Sequence, residues 1–136
     1  MVERSGDWLA QAKRDLENAK YESSGQYYEW ACFLSQQAAE KAVKAVYQKT
    51  GAEAFGHSVA GLLARLPPFS EETDKEKKSE LVALAKELDK AYILARYPNG
   101  HPEGAPFNVY TEAEANRSIE YAGRIVRYCE DKLSSV

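Results

Sequence analysis

The stretch "FLSQQAAEKAVKAVYQKTG", residues 33–51, decides the fold. Extended upstream to Gln26, it reads as one helix over 26–49, about six turns at 3.6 residues each, with Gly51 as its stop. On a helical wheel Leu34, Ala45, Ala38, Ala31, Ala42, Val46, Ala39, Cys32 and Val43 share one arc of roughly half the circumference, wider than a surface helix needs. Such a helix must touch several neighbours and lie at the centre of a bundle, and its alanines let those neighbours approach closely. The opposite arc carries Gln36, Gln37, Glu40, Lys41 and Lys44. Glu40 precedes Lys44 by four residues, the favourable order for an ion pair along a helix.

Working outward, residues 6–22 place Trp8, Leu9, Ala12, Leu16 and Ala19 at helical spacing, with charged residues outside that stripe. Ser23, Ser24 and Gly25 end this helix by turn chemistry. Downstream, a short helix over about 58–66 is stopped by Pro67 and Pro68 and followed by a loop. From about residue 74 a long helix carries Leu81, Leu84, Ala85, Leu88, Ala91, Tyr92 and Ala95 on one stripe. Pro98 ends it at about Tyr97, because the residue before a proline is pushed out of helical geometry. After a Pro- and Gly-rich connection over 98–109, Thr111 and Glu114 form a capping box. The last helix then carries Ala115, Ile119, Ala122, Val126, Cys129 and Leu133 on one face. The expectation is an all-α, antiparallel up-and-down bundle of four long helices plus a short one, a single domain over 1–136.

The 136 residues suffice for one core and not two. At 44% hydrophobic and 29% charged residues the composition is globular. No run is long and apolar enough for a bilayer, and "MVERSGDWLA" lacks the pattern of a signal peptide, so a cytoplasmic location without membrane contact is expected. A net charge of −3 weakens unaided binding to a phosphate backbone, which draws on displaced counterions; any contact with nucleic acid must be local. Cys32 and Cys129 read as small core residues. There is no phosphate-binding Gly-rich loop with Lys-Ser/Thr, no paired-histidine metal motif and no Glu-x-x-His repeat. No metal or cofactor is implied.

The central helix, together with "GHSVAGLLARL" (56–66) and "LDKAYILARYP" (88–98), resembles the HEPN domain family. His57, Asp89, Tyr92, Arg96, Tyr97 and Pro98 stand in that family's order and spacing. The resemblance implies a homodimer with a cleft between subunits for a nucleotide or RNA. It implies two functional branches: small companions of minimal nucleotidyltransferases, described as toxin and antitoxin modules, and metal-independent ribonucleases that use an Arg and a His four to six residues apart. A helical protein-interaction module without a nucleotide ligand is the third alternative.

Arg96 and His101 are the candidate catalytic pair. His101 would shuttle protons for attack of a ribose 2′-hydroxyl on phosphorus, and Arg96 would stabilise the developing charge. Against this, Tyr97 and Pro98 follow Arg96, and Gly100 and Pro102 bracket His101, which suits an exposed loop. Arg96 alternatively braces the helix end, held by Asp89 and stacked on Tyr92. The candidate ligand-binding residues are His57, Asp89, Tyr92, Arg96 and Tyr97, with His57 alternatively a capping or packing residue. Arg117, Arg124 and Arg127, with Tyr121 and Tyr128 nearby, read as a solvated face or an RNA-binding one.

Overall fold

The computed structural model describes residues 3–67 and 72–135. The helices are α1 (Ser5–Ser24), α2 (Tyr28–Thr50), α3 (Val59–Arg65), α4 (Glu72–Asp89), α5 (Ala91–Leu94), α6 (Pro106–Val109) and α7 (Glu112–Ser134), with a 3-10 turn at Pro98–Gly100. Among the described residues there is no strand. Pro68 and the loop expected after it, 69–71, lie outside the described residues, while α3 does end ahead of Pro67.

Contacts between chain-distant residues set the directions. The backbone N–H of Arg4 donates to Gln48, so α1 and α2 run antiparallel. Tyr28 reaches Glu112 and Ser118 reaches Cys32, so α2 and α7 run parallel. Arg124 pairs with Glu80, and Asp74 with Tyr128 and Lys132, which makes α4 antiparallel to α7. This is the up-and-down bundle, with α2 and α7 together at its middle and α1 and α4 on its flanks.

Local chemistry explains the ends. Gly51 takes a left-handed φ of 77° at the end of α2 and returns its N–H to Gln48, a conformation glycine adopts without steric cost. Thr111 Oγ1 accepts from the Glu114 N–H while the Glu114 carboxylate accepts from the Thr111 N–H. The expected capping box is therefore present. The main core gathers Val43, Val46, Leu62, Leu63, Leu81, Leu88 and Ile125. A smaller cluster of Ala31, Cys32, Ala91, Ala95 and Ala115 closes the end of the bundle where α5 lies. These alanines remove side-chain bulk where the helical segments meet.

One expectation changes. The helix drawn from 74 to 97 is interrupted: the Lys90 N–H bonds three residues back, to Glu87, and the helix restarts as α5. On the polar arc of α2, Gln36 is fully buried and Glu40 is 4% exposed. The helix is enclosed nearly all round, so its polar side chains must find partners inside the protein.

Candidate ligand site

Arg96 stands at the end of α5. Its Nε and Nη2 both donate to the Tyr92 carbonyl, one turn back, which satisfies a carbonyl that the helix end leaves open. The guanidinium carbon lies 4.4 Å from the Phe33 ring centre, 4.8 Å from Tyr92 and 5.2 Å from Tyr97. Trp30 meets Phe33 edge-on at 6.0 Å. The cation thus sits against three aromatic rings, each attracting it electrostatically. No carboxylate pairs with it among the described residues, and its Nη1 makes no hydrogen bond there.

Asp89 does not hold Arg96, contrary to the brace drawn from the sequence. Its Oδ1 accepts from the Val59 N–H at 2.9 Å and its Oδ2 from the Ala60 N–H at 3.0 Å and from Ser58 Oγ at 3.0 Å. Ser58 is itself the N-cap of α3, accepting from Gly61. The carboxylate therefore faces the first turn of α3, where open N–H groups and the helix dipole favour negative charge. The stacking of Arg96 on Tyr92 is present; the ion pair is not.

His57 also lies against Tyr92, its ring stacked at 4.9 Å with an interplanar angle of 16°. It does not cap α3, a role that falls to Ser58 and Asp89. Its Nδ1 is 3.1 Å from Glu40 Oε2, and the same oxygen accepts from Lys44 Nζ at 3.1 Å. Gln36 Nε2 donates to the His57 carbonyl and to Asp89. Buried polar side chains of α2 thereby position both His57 and Asp89.

His101 is half-buried rather than free on a loop. Its Nε2 is 2.6 Å from the Leu94 carbonyl, and its ring meets Tyr110 edge-on at 6.2 Å. Gly100 permits this turn, because a Cβ there would fall 2.2 Å from Leu94 Cδ2. Arg96 and His101 both serve carbonyls at the end of α5, and no hydrogen bond joins them. Tyr97 is 48% exposed beside Arg96. Within the basic cluster of α7, Arg124 pairs with Glu80, and Tyr128 is buried on Asp74.

Phe33 and Gln36 are participants that periodicity did not single out, and Glu40 was read only as the partner of Lys44, a pair that is present. The width of the apolar arc on α2 was the signal for their burial, since it left little of that helix for solvent. A hollow of about 620 Å³ opens between α1 and the end of α2, bordered by Trp8, Lys44, Tyr47 and Phe55; none of the expected site residues borders it. Burial pushes the Cys32 thiol up to about 11, which holds it as an unreactive core thiol. Among the described residues no three His, Cys, Asp or Glu side chains stand together as a metal-binding group, and no helix is long and apolar enough to cross a membrane.

An α-helical bundle with an arginine in an aromatic cage at one end defines the class of protein, and comparison supplies the family. The HEPN domain profile matches residues 5–132, and the chain belongs to the HEPN domain family. It is similar to MJ1304 of Methanocaldococcus jannaschii, named as a candidate toxin, at 28% identity over 130 residues, covering 93% of this chain and 86% of that protein. Among solved structures, TT1696 of Thermus thermophilus superposes with a TM-score of 0.86 at 41% identity, covering 96% of this chain and 99% of that one. ST0689, an archaeal HEPN homologue, gives 0.79 at 44%, covering 97% and 99%. The HEPN domain protein tm0613 of Thermotoga maritima gives 0.71 at 43%, covering 96% and 99%.

Proposed function

We propose that this chain is the HEPN component of a two-protein module of toxin–antitoxin type. It acts as a nucleotide- or RNA-binding companion of a minimal nucleotidyltransferase and works as a homodimer in the cytoplasm. The observation that carries the reading is Arg96: a guanidinium with no carboxylate partner among the described residues, held rigidly by the Tyr92 carbonyl and aromatic rings, with Nη1 left to donate. A fixed, unneutralised fork suits phosphate oxygens. Tyr97 and Trp30, 48% and 42% exposed, continue the aromatic surface around it. Large exposed rings beside an anion donor offer both a stacking platform for a base and apolar area for a second copy of the chain. The family and the relative named as a candidate toxin support the module.

Coexpression with a minimal nucleotidyltransferase followed by copurification tests the partner, and light scattering tests the dimer. A strictly monomeric protein that leaves the nucleotidyltransferase in the flow-through overturns both parts. The ribonuclease alternative gains nothing from the site, because the Nε2 of His101 is engaged by the Leu94 carbonyl and no hydrogen bond links the ring to Arg96.

A further inference from the structure

Glu40 is buried in a way that stability alone does not explain. One of its oxygens, Oε2, serves both Lys44 and His57, while Oε1 is inaccessible to solvent and has no hydrogen-bond partner among the described residues. A buried acceptor left unsatisfied costs about 1–3 kcal/mol, and the contacts that offset it are those of Oε2 with Lys44 and His57. What it does is hold His57. A carboxylate oxygen only accepts, so the proton of that contact belongs to His57 Nδ1, and in the singly protonated ring the lone pair is then on Nε2. The His57 side chain is 57% exposed, and Nε2 makes no hydrogen bond with the described residues. The ring is fixed on its inner edge by Glu40 and on its face by Tyr92, and it presents a hydrogen-bond acceptor outward.

We infer that Glu40-oriented His57 accepts a hydrogen bond from a ribose hydroxyl of the same phosphate-bearing ligand that Arg96 holds, and so makes the site prefer ribonucleotides to deoxyribonucleotides. This rests on the Arg96 reading above. His57 and the Arg96 guanidinium lie 4.9 Å and 4.8 Å from the centre of one ring, Tyr92, which keeps the two within the reach of one nucleotide unit, its phosphate toward Arg96 and its sugar toward His57. A neutral acceptor adds nothing for a phosphate oxygen, which has no proton to give at neutral pH. A sugar hydroxyl does, and the 2′-hydroxyl is the group that separates RNA from DNA. His57 is the ligand-facing residue and Glu40 the positioning residue.

Two measurements test this. First, nitrogen-15 NMR of the ligand-free protein reads the tautomer of His57. We expect the proton on Nδ1 in the native chain and a mixed population in Glu40→Gln; a proton resident on Nε2 overturns the inference without any ligand. Second, calorimetric titration compares AMP with its 2′-deoxy analogue, and a short single-stranded RNA with DNA of the same sequence. The paired probes separate free nucleotide from nucleic acid as the source. The native protein should favour the ribo form about 3- to 10-fold, the span of one net hydrogen bond. His57→Ala, compared at an unfolding midpoint equal to that of the native chain, should bind both forms equally at the deoxy level. Preference unchanged in His57→Ala overturns the inference while leaving Arg96 in place. Absence of phosphate-dependent binding in the native protein and in Arg96→Ala alike overturns the Arg96 reading and the inference with it.

Discussion

Asp89 Oδ1 accepts the backbone N–H of Val59 at 2.9 Å, so the end of α4 caps the start of α3 from thirty residues away. With Ala60 and Ser58 on the second oxygen, one carboxylate fixes the short helix, the Ser58 hydroxyl and, through Gln36, the backbone of His57. The residue that looked like a partner for Arg96 instead builds the floor on which His57 stands.

Asp89→Ala should therefore cost stability, about 2 kcal/mol, combining a lost cap with lost charge-assisted bonds. Asp89→Asn should recover part of it, since the amide oxygen still accepts one N–H. Urea unfolding at neutral pH measures both. A variant with unaltered unfolding midpoint and abolished ligand binding would make Asp89 a ligand residue instead.

Arg96→Ala should weaken binding of a phosphate-bearing probe by about 1.5–3 kcal/mol, the range for a hydrogen bond to a charged group. Arg96→Lys should restore little, because a point ammonium cannot serve the Tyr92 carbonyl and two phosphate oxygens from one plane. Calorimetry on folded, monodisperse variants gives the comparison. Equal affinity of the native protein and Arg96→Ala would leave Arg96 as a helix-end brace.

His101→Ala removes the bond to the Leu94 carbonyl and the edge contact with Tyr110. The expected result is a loss of about 1 kcal/mol in unfolding free energy with probe affinity nearly unchanged. The same variant decides the nuclease question: incubation with RNA and a metal chelator should give no cleavage that depends on His101. Cyclic-phosphate products present in the native protein and missing in both Arg96→Ala and His101→Ala would reinstate the catalytic pair.

Stability should fall in alkali before it falls near neutrality. Burial raises the Cys32 thiol from its ordinary 9.0 to about 11 and the Tyr110 phenol from 10.0 to about 12; Cys129 and Tyr128 move in the same direction. Each group holds its proton more tightly folded than unfolded. That contribution is fully present below the unfolded values and is lost as pH rises through the folded ones. Urea midpoints measured across about pH 8 to 11 should stay level at first and then decline from about pH 9 upward. A flat profile over that whole range would mean these side chains are solvated in the folded protein.

The helices were readable because their signals are local. Gly51 ends α2, Thr111 and Glu114 open α7, and the wide apolar arc of residues 31–46 places α2 at the centre, all from spacings within a few turns of chain. Family membership followed from the same stretches. Local signals also misled where a neighbour intervened. The stripe from Leu81 to Ala95 is continuous in sequence, yet the backbone tightens at Lys90 and splits it into α4 and α5.

The sequence by itself determined the all-helical class, the four long helices and the caps at Gly51 and Thr111, because propensity, periodicity and capping act over one or two turns. Only the tertiary structure decided which charges meet. Arg96 and Asp89 stand seven residues apart, a spacing that suggests a pair, but a carboxylate goes where unsatisfied donors are closest, and the approach of α3 supplied three. Glu40, whose spacing told only of its pairing with Lys44, also meets His57, brought onto it from seventeen residues on. Helical spacing states which side chains share a face of one helix; the packing of the other helices determines what that face meets.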